Sequence, residues 1–198
     1  MPNPEHVEIV KQGAEAVEKW RKENPGERLD LSWAELSKIF CKRKENWENS
    51  RKANLTKIDL SEADLNYANL IEVDLEQANL SRAELYNADL RGANLRQTDL
   101  SQAKMRGANL SEASLDKADL RGTDLSGANS ANTTWADLDL SQTIGLRTIQ
   151  HHKASEIGIK TLIKSNGKIP NEFLRGCGLT DNIISVVQDH FTNSENDV

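Results

Sequence analysis

Residues 53–70 read ANLTKIDLSEADLNYANL, with leucine on every fifth position: Leu55, Leu60, Leu65 and Leu70. A helix repeats near 3.6 residues and a strand at 2, so neither accounts for the spacing. Stepping by five from Leu55 to Leu140 gives 18 units, and 15 of them have Leu at the centre. The exceptions are Met105, Ser130 and Trp135. Two residues before each centre stands Ala in 12 of the 18; the others are Ile58, Val73, Thr98, Thr123, Thr133 and Leu138. The residue just before the centre is mostly Asp or Asn, and the two after it are mixed.

Two apolar positions separated by two residues point to one side of an extended segment. The next pair begins three residues later, so the chain must bend between units to keep both pairs inward. The backbone therefore coils around its own side chains, and successive coils stack at the ~4.8 Å spacing of paired strands. A soluble helix is a poor rival, because five steps of about 100° smear the leucines around its surface. The expected fold class is an all-β solenoid. Its structural core is Leu55, Leu60, Leu65, Leu70, Leu75, Leu80, Leu85, Leu90, Leu95, Leu100, Met105, Leu110, Leu115, Leu120 and Leu125.

The A(D/N)LXX units, seen in ADLNY, ANLIE, ADLRG and ANLSE, resemble those of the pentapeptide-repeat family across residues 53–142 and again at 29–41. That resemblance implies a right-handed quadrilateral β-helix with four pentapeptides per coil. Residues 20 apart then stack: Leu55, Leu75, Leu95, Leu115 and Trp135 form one interior column, and Leu65, Leu85, Met105 and Leu125 another. The opening NPEHVEIVKQGAEAVEKW with WRKENP and LDLSWAEL is similar to the head of cyanobacterial members. The tail SEIGIKTLIKSNGKIPNEFLRGCGL resembles a segment that joins such repeats to a Toll/interleukin-receptor-type domain. The sequence stops after that segment, so the activity of such a domain is not carried over.

Raw ends of a stacked coil invite aggregation unless covered. Residues 1–28 read as an α-helical N-terminal cap: one amphipathic helix over 3–23, with Asn3 capping, Pro4 in the first turn, and Val7, Val10, Ala14, Val17 and Trp20 on one face. The repeats occupy 29–142, with centres at Leu31 and Leu36, a weaker unit at Ile39 and Cys41, and a register break at about 42–52. Residues 143–198 form an α-helical C-terminal tail, with helices expected at about 154–165, 171–176 and 180–191. Ser130 and Trp135 suit a last coil that meets a cap.

Residues 53–142 hold 15 acidic and 8 basic side chains, whereas the flanks are nearly neutral, and the chain carries −6 overall. Phosphate-backbone binding needs a basic face, so no direct nucleic-acid binding is expected. No run approaches the ~18 apolar residues of a membrane span. MPNPEHVEIV lacks a basic region followed by an apolar run, and the two cysteines, Cys41 and Cys177, do not read as a disulfide framework. A cytoplasmic setting without membrane contact follows as an expectation.

No phosphate-binding loop, zinc-spaced cysteine set or nucleophile elbow is present. His151 and His152 read as a solvated turn. Asp59, Asp64, Asp74, Asp89, Asp99, Asp119 and Asp124 fall where the repeat wants a short side chain bonding the turn backbone, rather than as catalytic pairs. The glycosylation sequons at Asn54, Asn79 and Asn109 are by-products of the repeat. No catalytic, cofactor-binding or metal-ligating residue is assigned, and no cofactor. On the outer face, Tyr67, Ile71, Tyr86, Arg91 and Arg106 have interface-like composition, with Arg106 placed for a cation–π contact on Tyr86.

The expected function is a non-catalytic scaffold that binds an unidentified protein partner, with a homodimer compatible. Two alternatives come from resemblance: an acidic rod that mimics DNA and modulates DNA gyrase, and a regulatory partner of a separately encoded signalling domain.

Overall fold

The computed structural model describes residues 1–38 and 53–194. From Asn54 to Ser114 every fifth residue pairs in parallel with the residue 20 further on: Asn54 with Asp74, Asp59 with Asn79, Asp64 with Glu84, Asn69 with Asp89. The fifth pairing, Asp74 with Asn94, returns to the first column. One coil is thus 20 residues with four sides, called here side one (Asn54), side two (Asp59), side three (Asp64) and side four (Asn69). Each side is tied to the next coil by reciprocal bonds, as where Leu55 N–H donates to Asp74 O at 2.7 Å and Asp74 N–H to Ala53 O at 2.8 Å.

The walls are single paired residues rather than the continuous strands of an ordinary sheet. A five-residue side spends two residues on its corner and leaves three, of which only the middle one, such as Asn54, is a paired position. Two-residue strands appear only late among the described residues: β1 (Asn129–Ser130) pairs with β3 (Gln150–His151), and β2 (Thr134–Trp135) with β4 (Glu156–Ile157).

Each corner is a tight turn closed by a bond such as Ala63 N–H to Leu60 O at 3.1 Å. Its second residue is left-handed, with φ between 52° and 70° from Lys57 through Gly127. A positive φ at that place defines the type II turn and favours Gly or Asn, and Gly92, Gly107, Gly122, Gly127 and Asn87 occupy it. The carboxylate or amide before the centre braces the turn: Asp59 Oδ1 accepts from Ser61 N–H at 3.0 Å, and Asp99 Oδ1 from Ser101 N–H at 2.9 Å. These aspartates are parts of the corners.

The leucine centres from Leu55 to Leu125, with Met105, are all buried, and the alanines pack beside them. Where Thr replaces Ala its hydroxyl is satisfied: Thr98 Oγ1 donates to Leu75 O at 2.9 Å and Thr123 Oγ1 to Leu100 O at 2.7 Å. A buried hydroxyl without a partner costs about 1–3 kcal/mol, so these bonds make Thr tolerable there.

The first units enter the same columns by a longer path. Asp30 pairs with Asp64 and Glu35 with Asn69, an offset of 34 that exceeds one coil by 14 residues. Leu31 and Leu36 are fully buried beneath Leu65 and Leu70. The centres at Leu31 and Leu36 are out of step with Leu55 in sequence yet in register in space. The weak unit at Ile39 and Cys41, and the break at 42–52, lie outside the described residues.

The N-terminal cap is two helices, not the single one that periodicity predicts. Helix α1 (Pro4–Lys11) and α2 (Ala14–Glu23) are separated at Gln12–Gly13, where Gly13 takes φ 95°. Glycine there lets the second helix turn back so that Val10, Val17 and Trp20 all reach the core. Asn3 caps α1 by accepting from Glu5 N–H at 3.0 Å. Arg21 closes the exposed lower edge of side two, donating to Asp59 O at 3.0 Å and Ser61 O at 2.6 Å.

At the far end the coil runs past 142. Asp124 pairs with Ile144 at the usual offset, then the offsets become 21 (Asn129 with Gln150) and 22 (Thr134 with Glu156). Helices α3 (Ile159–Lys164), α4 (Asn171–Gly176) and α5 (Asp181–Ser194) follow. A helix over 154–165 was the expectation; residues 156–157 instead extend side one as β4, and α3 begins only after Gly158. The tail caps the last coil with buried hydroxyls: Thr161 Oγ1 accepts from Leu138 N–H at 3.1 Å, and Ser165 Oγ from Leu140 N–H at 2.9 Å. Ser130 and Trp135 meet this cap, with Ser130 Oγ 2.9 Å from Ser155 Oγ and Trp135 edge-on to Phe173 at 5.2 Å. No described helix is long and apolar enough to cross a membrane.

His151 is not a solvated turn. It is half-buried in β3, edge-on to Phe173 at 5.2 Å, and both ring nitrogens are buried without partners. The backbone of Gly176 sits so close that a Cβ there would lie 2.1 Å from His151 Cδ2. Burial pushes the His151 pKa below its usual value, and folding therefore disfavours its protonated form. Above about pH 6.5 the ring is neutral whether folded or unfolded. Below it the unfolded chain takes up a proton that the folded one resists, and stability falls with pH. The lowered carboxylates Glu84, Asp119 and Asp137 lose their contribution only in a more acid window. Between pH 7.5 and 5 the Tm of the parent chain declines more than that of His151→Leu, with Trp135 emission reporting release of the cap. Parallel declines in the two chains refute this role for His151.

Candidate protein-interaction surface

The five patch residues lie on the corners after sides three and four. Tyr67 and Tyr86 come together, because Tyr67 N–H donates to Tyr86 O at 2.8 Å. Arg106 stands one coil beyond Tyr86 in the same column. Ile71 and Arg91 belong to the next corner, and Ile71 is half-buried. Arg91 is held by its neighbour, with Nε 2.8 Å from Asp89 Oδ1 and Nη2 2.7 Å from Asp89 Oδ2. The Asp89 carboxylate beside it raises the Arg91 pKa. Among the described residues Tyr86 and Arg106 form no ring contact with each other.

The structure adds a residue that sequence reading left out. Trp33 stacks on Tyr67 with ring centroids 4.3 Å apart and planes 10° off parallel. Trp33 is 60% exposed and Tyr67 45%, and both take φ near 60° on their corners. Trp33 lies 34 residues before Tyr67, the same offset that pairs Asp30 with Asp64. Aligning the first units across that insertion is the signal that finds it.

Side three supplies the charge. Glu84 Oε1 is 3.0 Å from Lys104 Nζ, its Oε2 3.6 Å from Arg28 Nη2, and Asn66 Nδ2 donates to it at 3.3 Å. The Lys104 bond, helped by Asn66 and Arg28, holds the Glu84 carboxyl below the usual range. Asp64 and Asp124 turn inward onto the N–H groups of Asn66 and Ser126 at 3.0 and 2.9 Å.

A family model described as pentapeptide repeats matches eight copies over residues 58–97 and 93–129. This repeat segment belongs to the pentapeptide-repeat family. The chain is also similar in sequence to proteins of solved structure. A pentapeptide repeat protein from Nostoc PCC 7120 is 36% identical over 39% of this chain and 69% of its own, with a TM-score of 0.22. Rfr23 from the cyanobacterium Cyanothece 51142 is 28% identical over 56% of this chain and 67% of its own, TM-score 0.38. A pentapeptide repeat protein from the Arabidopsis thaliana thylakoid lumen is 24% identical over 52% of this chain, TM-score 0.38. The chain spans 61% of the length of that plant protein. No curated protein matches the chain. Kinship rests on the shared repeat and its sequence; superpositions this loose carry nothing about partners.

Proposed function

We propose that this pentapeptide-repeat protein is a non-catalytic scaffold, a right-handed four-sided rod that holds side chains in fixed columns for a protein partner. The observation that carries the reading is the exposed Trp33–Tyr67 stack beside Tyr86 and Arg106. Trp, Tyr and Arg are the residue types that dominate binding energy at interfaces, and here they sit on a backbone locked by inter-coil bonds. Little ordering entropy is lost when a partner binds such a surface. The braced aspartates support a non-enzymatic reading, since a carboxylate accepting from its own turn is committed to structure. We also place the rod in the cytoplasm.

The DNA-mimic alternative draws on the acidic residues of side two, Asp99, Asp119 and Asp139. It has less support, because Arg121 pairs with Asp119 at 2.5 Å and Arg21 with Asp59 at 3.3 Å. The regulatory-partner alternative rests on the likeness of the tail alone.

The test is capture from a lysate of the source organism on the immobilised full chain, followed by calorimetry with the purified captured protein. The scaffold reading expects a stoichiometric complex with a negative ΔCp, the mark of apolar burial. Failure of every captured protein to bind when purified removes the reading.

A further inference from the structure

We propose that the corner carrying Trp33, Tyr67, Tyr86 and Arg106 docks an extended acidic peptide segment, with an aromatic or proline ring against the Trp33–Tyr67 stack and a carboxylate on Arg106. The inference rests on the scaffold reading and names the chemistry of its partner.

Three observations carry it. First, Trp33 and Tyr67 are exposed whereas the leucine centres of the coils are buried; among the described residues the other exposed large apolar side chains are Met1 and, within 143–198, Ile144, Ile159, Ile163, Ile183 and Val186. An exposed parallel stack presents flat aromatic surface with its rotamers already fixed, so a ring or proline that covers it costs little further entropy. Second, five arginines lie in residues 53–142. Arg82, Arg91, Arg96 and Arg121 each pair with a carboxylate, at 3.3, 2.7, 2.9 and 2.5 Å. Among the described residues Arg106 has no ion pair. Third, the acids of side three are already engaged, Glu84 by Lys104, Arg28 and Asn66, Asp64 and Asp124 by backbone N–H groups, and Asp30 by the Ser32 hydroxyl at 2.8 Å. Arg106, without an ion pair, therefore stands in the column of Tyr86, two coils from the aromatic stack, and the carboxylates of side three are bonded to other groups.

Spacing sets the motif. Tyr67 and Arg106 stand two coils apart, about 10 Å at the ~4.8 Å inter-coil spacing. An extended peptide advances about 3.3 Å per residue, so a ring and an Asp or Glu three residues apart span that distance. Arg106 forms the bidentate, charge-assisted bonds that favour guanidinium over ammonium for a carboxylate. Single-stranded nucleic acid also offers flat rings and anions, but its chain of phosphates meets a coil segment with 15 acidic and 8 basic residues.

The experiment pans a random dodecapeptide phage library on the full-length chain, then measures the enriched peptides by fluorescence polarisation. Expected are peptides pairing an aromatic or proline with Asp or Glu three or four residues away. Their affinity drops about tenfold or more on Tyr67→Ala and on Arg106→Glu, both at exposed positions and both expected to keep the parent Tm. The Arg106→Glu chain then prefers the same peptides with Lys in place of the acid, a reversal that a folding defect does not produce. The inference is overturned if no peptide is enriched, if the enriched peptides lack the pairing or ignore both variants, or if an oligothymidine dodecamer binds more tightly. A natural partner that binds parent and Arg106→Glu chains equally leaves the scaffold standing and removes this surface.

Discussion

Replacing Leu95 by Lys unfolds the coil segment. Leu95 is fully buried in the column between Leu75 and Leu115, with the alanine wall around it. The substitution forfeits about 1.5–3 kcal/mol of apolar burial and leaves an ammonium among leucines with no carboxylate in the interior. An unpaired buried charge costs several kcal/mol more even after relaxation, against a total stability of about 5–15 kcal/mol for an ordinary domain. Relief by snorkelling is closed off, because the outward positions of that side are separated from the column by the wall itself. In a stacked array each coil is supported by its neighbours, so opening the third coil exposes edges on both sides. The expected result is loss of the native circular-dichroism signal and rapid proteolysis within residues 75–115. Gln97→Lys, which adds the same charge at an exposed corner of the same coil, keeps the parent melting temperature. A folded Leu95→Lys chain melting within a few degrees of the parent sinks the column assignment.

The interior was legible because it obeys a period. Leu55 and its successors had to converge, and the partner offset of 20 follows once the number of sides is known. Three things escaped because they depend on conformation rather than hydrophobicity. The corner residues looked mixed, yet their left-handed φ selects Gly at Gly92, Gly107, Gly122 and Gly127 and only strains the others. The insertion after residue 38 hid the register of Leu31 and Leu36, and with it the contact of Trp33 on Tyr67. His151 looked polar and therefore wet, whereas its neighbours Phe173 and Gly176 come from a helix more than 20 residues later. Stacking residues 20 apart puts Tyr86 and Arg106 of the candidate patch in one column, and the pairing of Glu84 with Lys104 keeps them there. Arg91 belongs to the candidate patch by its place one coil above Ile71; its pairing with Asp89, two residues before it, is visible only in the structure.

Gly145→Ala is the second large effect, and it tests where the regular coil gives way to the cap. Asp124 pairs with Ile144 at the regular offset, so Gly145 occupies the place where a centre belongs; Leu146 fills the core instead, 4% exposed. Gly145 is the extra residue that carries the offset from 20 to 21, and it does so at φ 83°. A Cβ there would lie 2.4 Å from Ser126 N and 2.6 Å from Ser126 Cα, both backbone atoms of the coil below. Those atoms are held, Ser126 N–H by Asp124 Oδ1 at 2.9 Å and Ser126 O by Gly107 N–H at 3.0 Å, and cannot swing aside as a flexible side chain does. Overpacking costs about 1–3 kcal/mol and the left-handed conformation about 1–2 kcal/mol more for a residue with a Cβ. Gly127 separates the two contributions: it has φ 68° but nothing within 4 Å of its Cβ position. Gly127→Ala therefore bears only the conformational cost. At about 2–4 °C per kcal/mol for a chain of this size, Gly145→Ala lowers the Tm by roughly 4–20 °C and Gly127→Ala by about 2–8 °C. Calorimetry of the two variants side by side decides it: equal losses mean that the close approach of Gly145 to Ser126 does not shape this junction, whereas a larger loss at Gly145 fixes the residue where the leucine period yields to the cap.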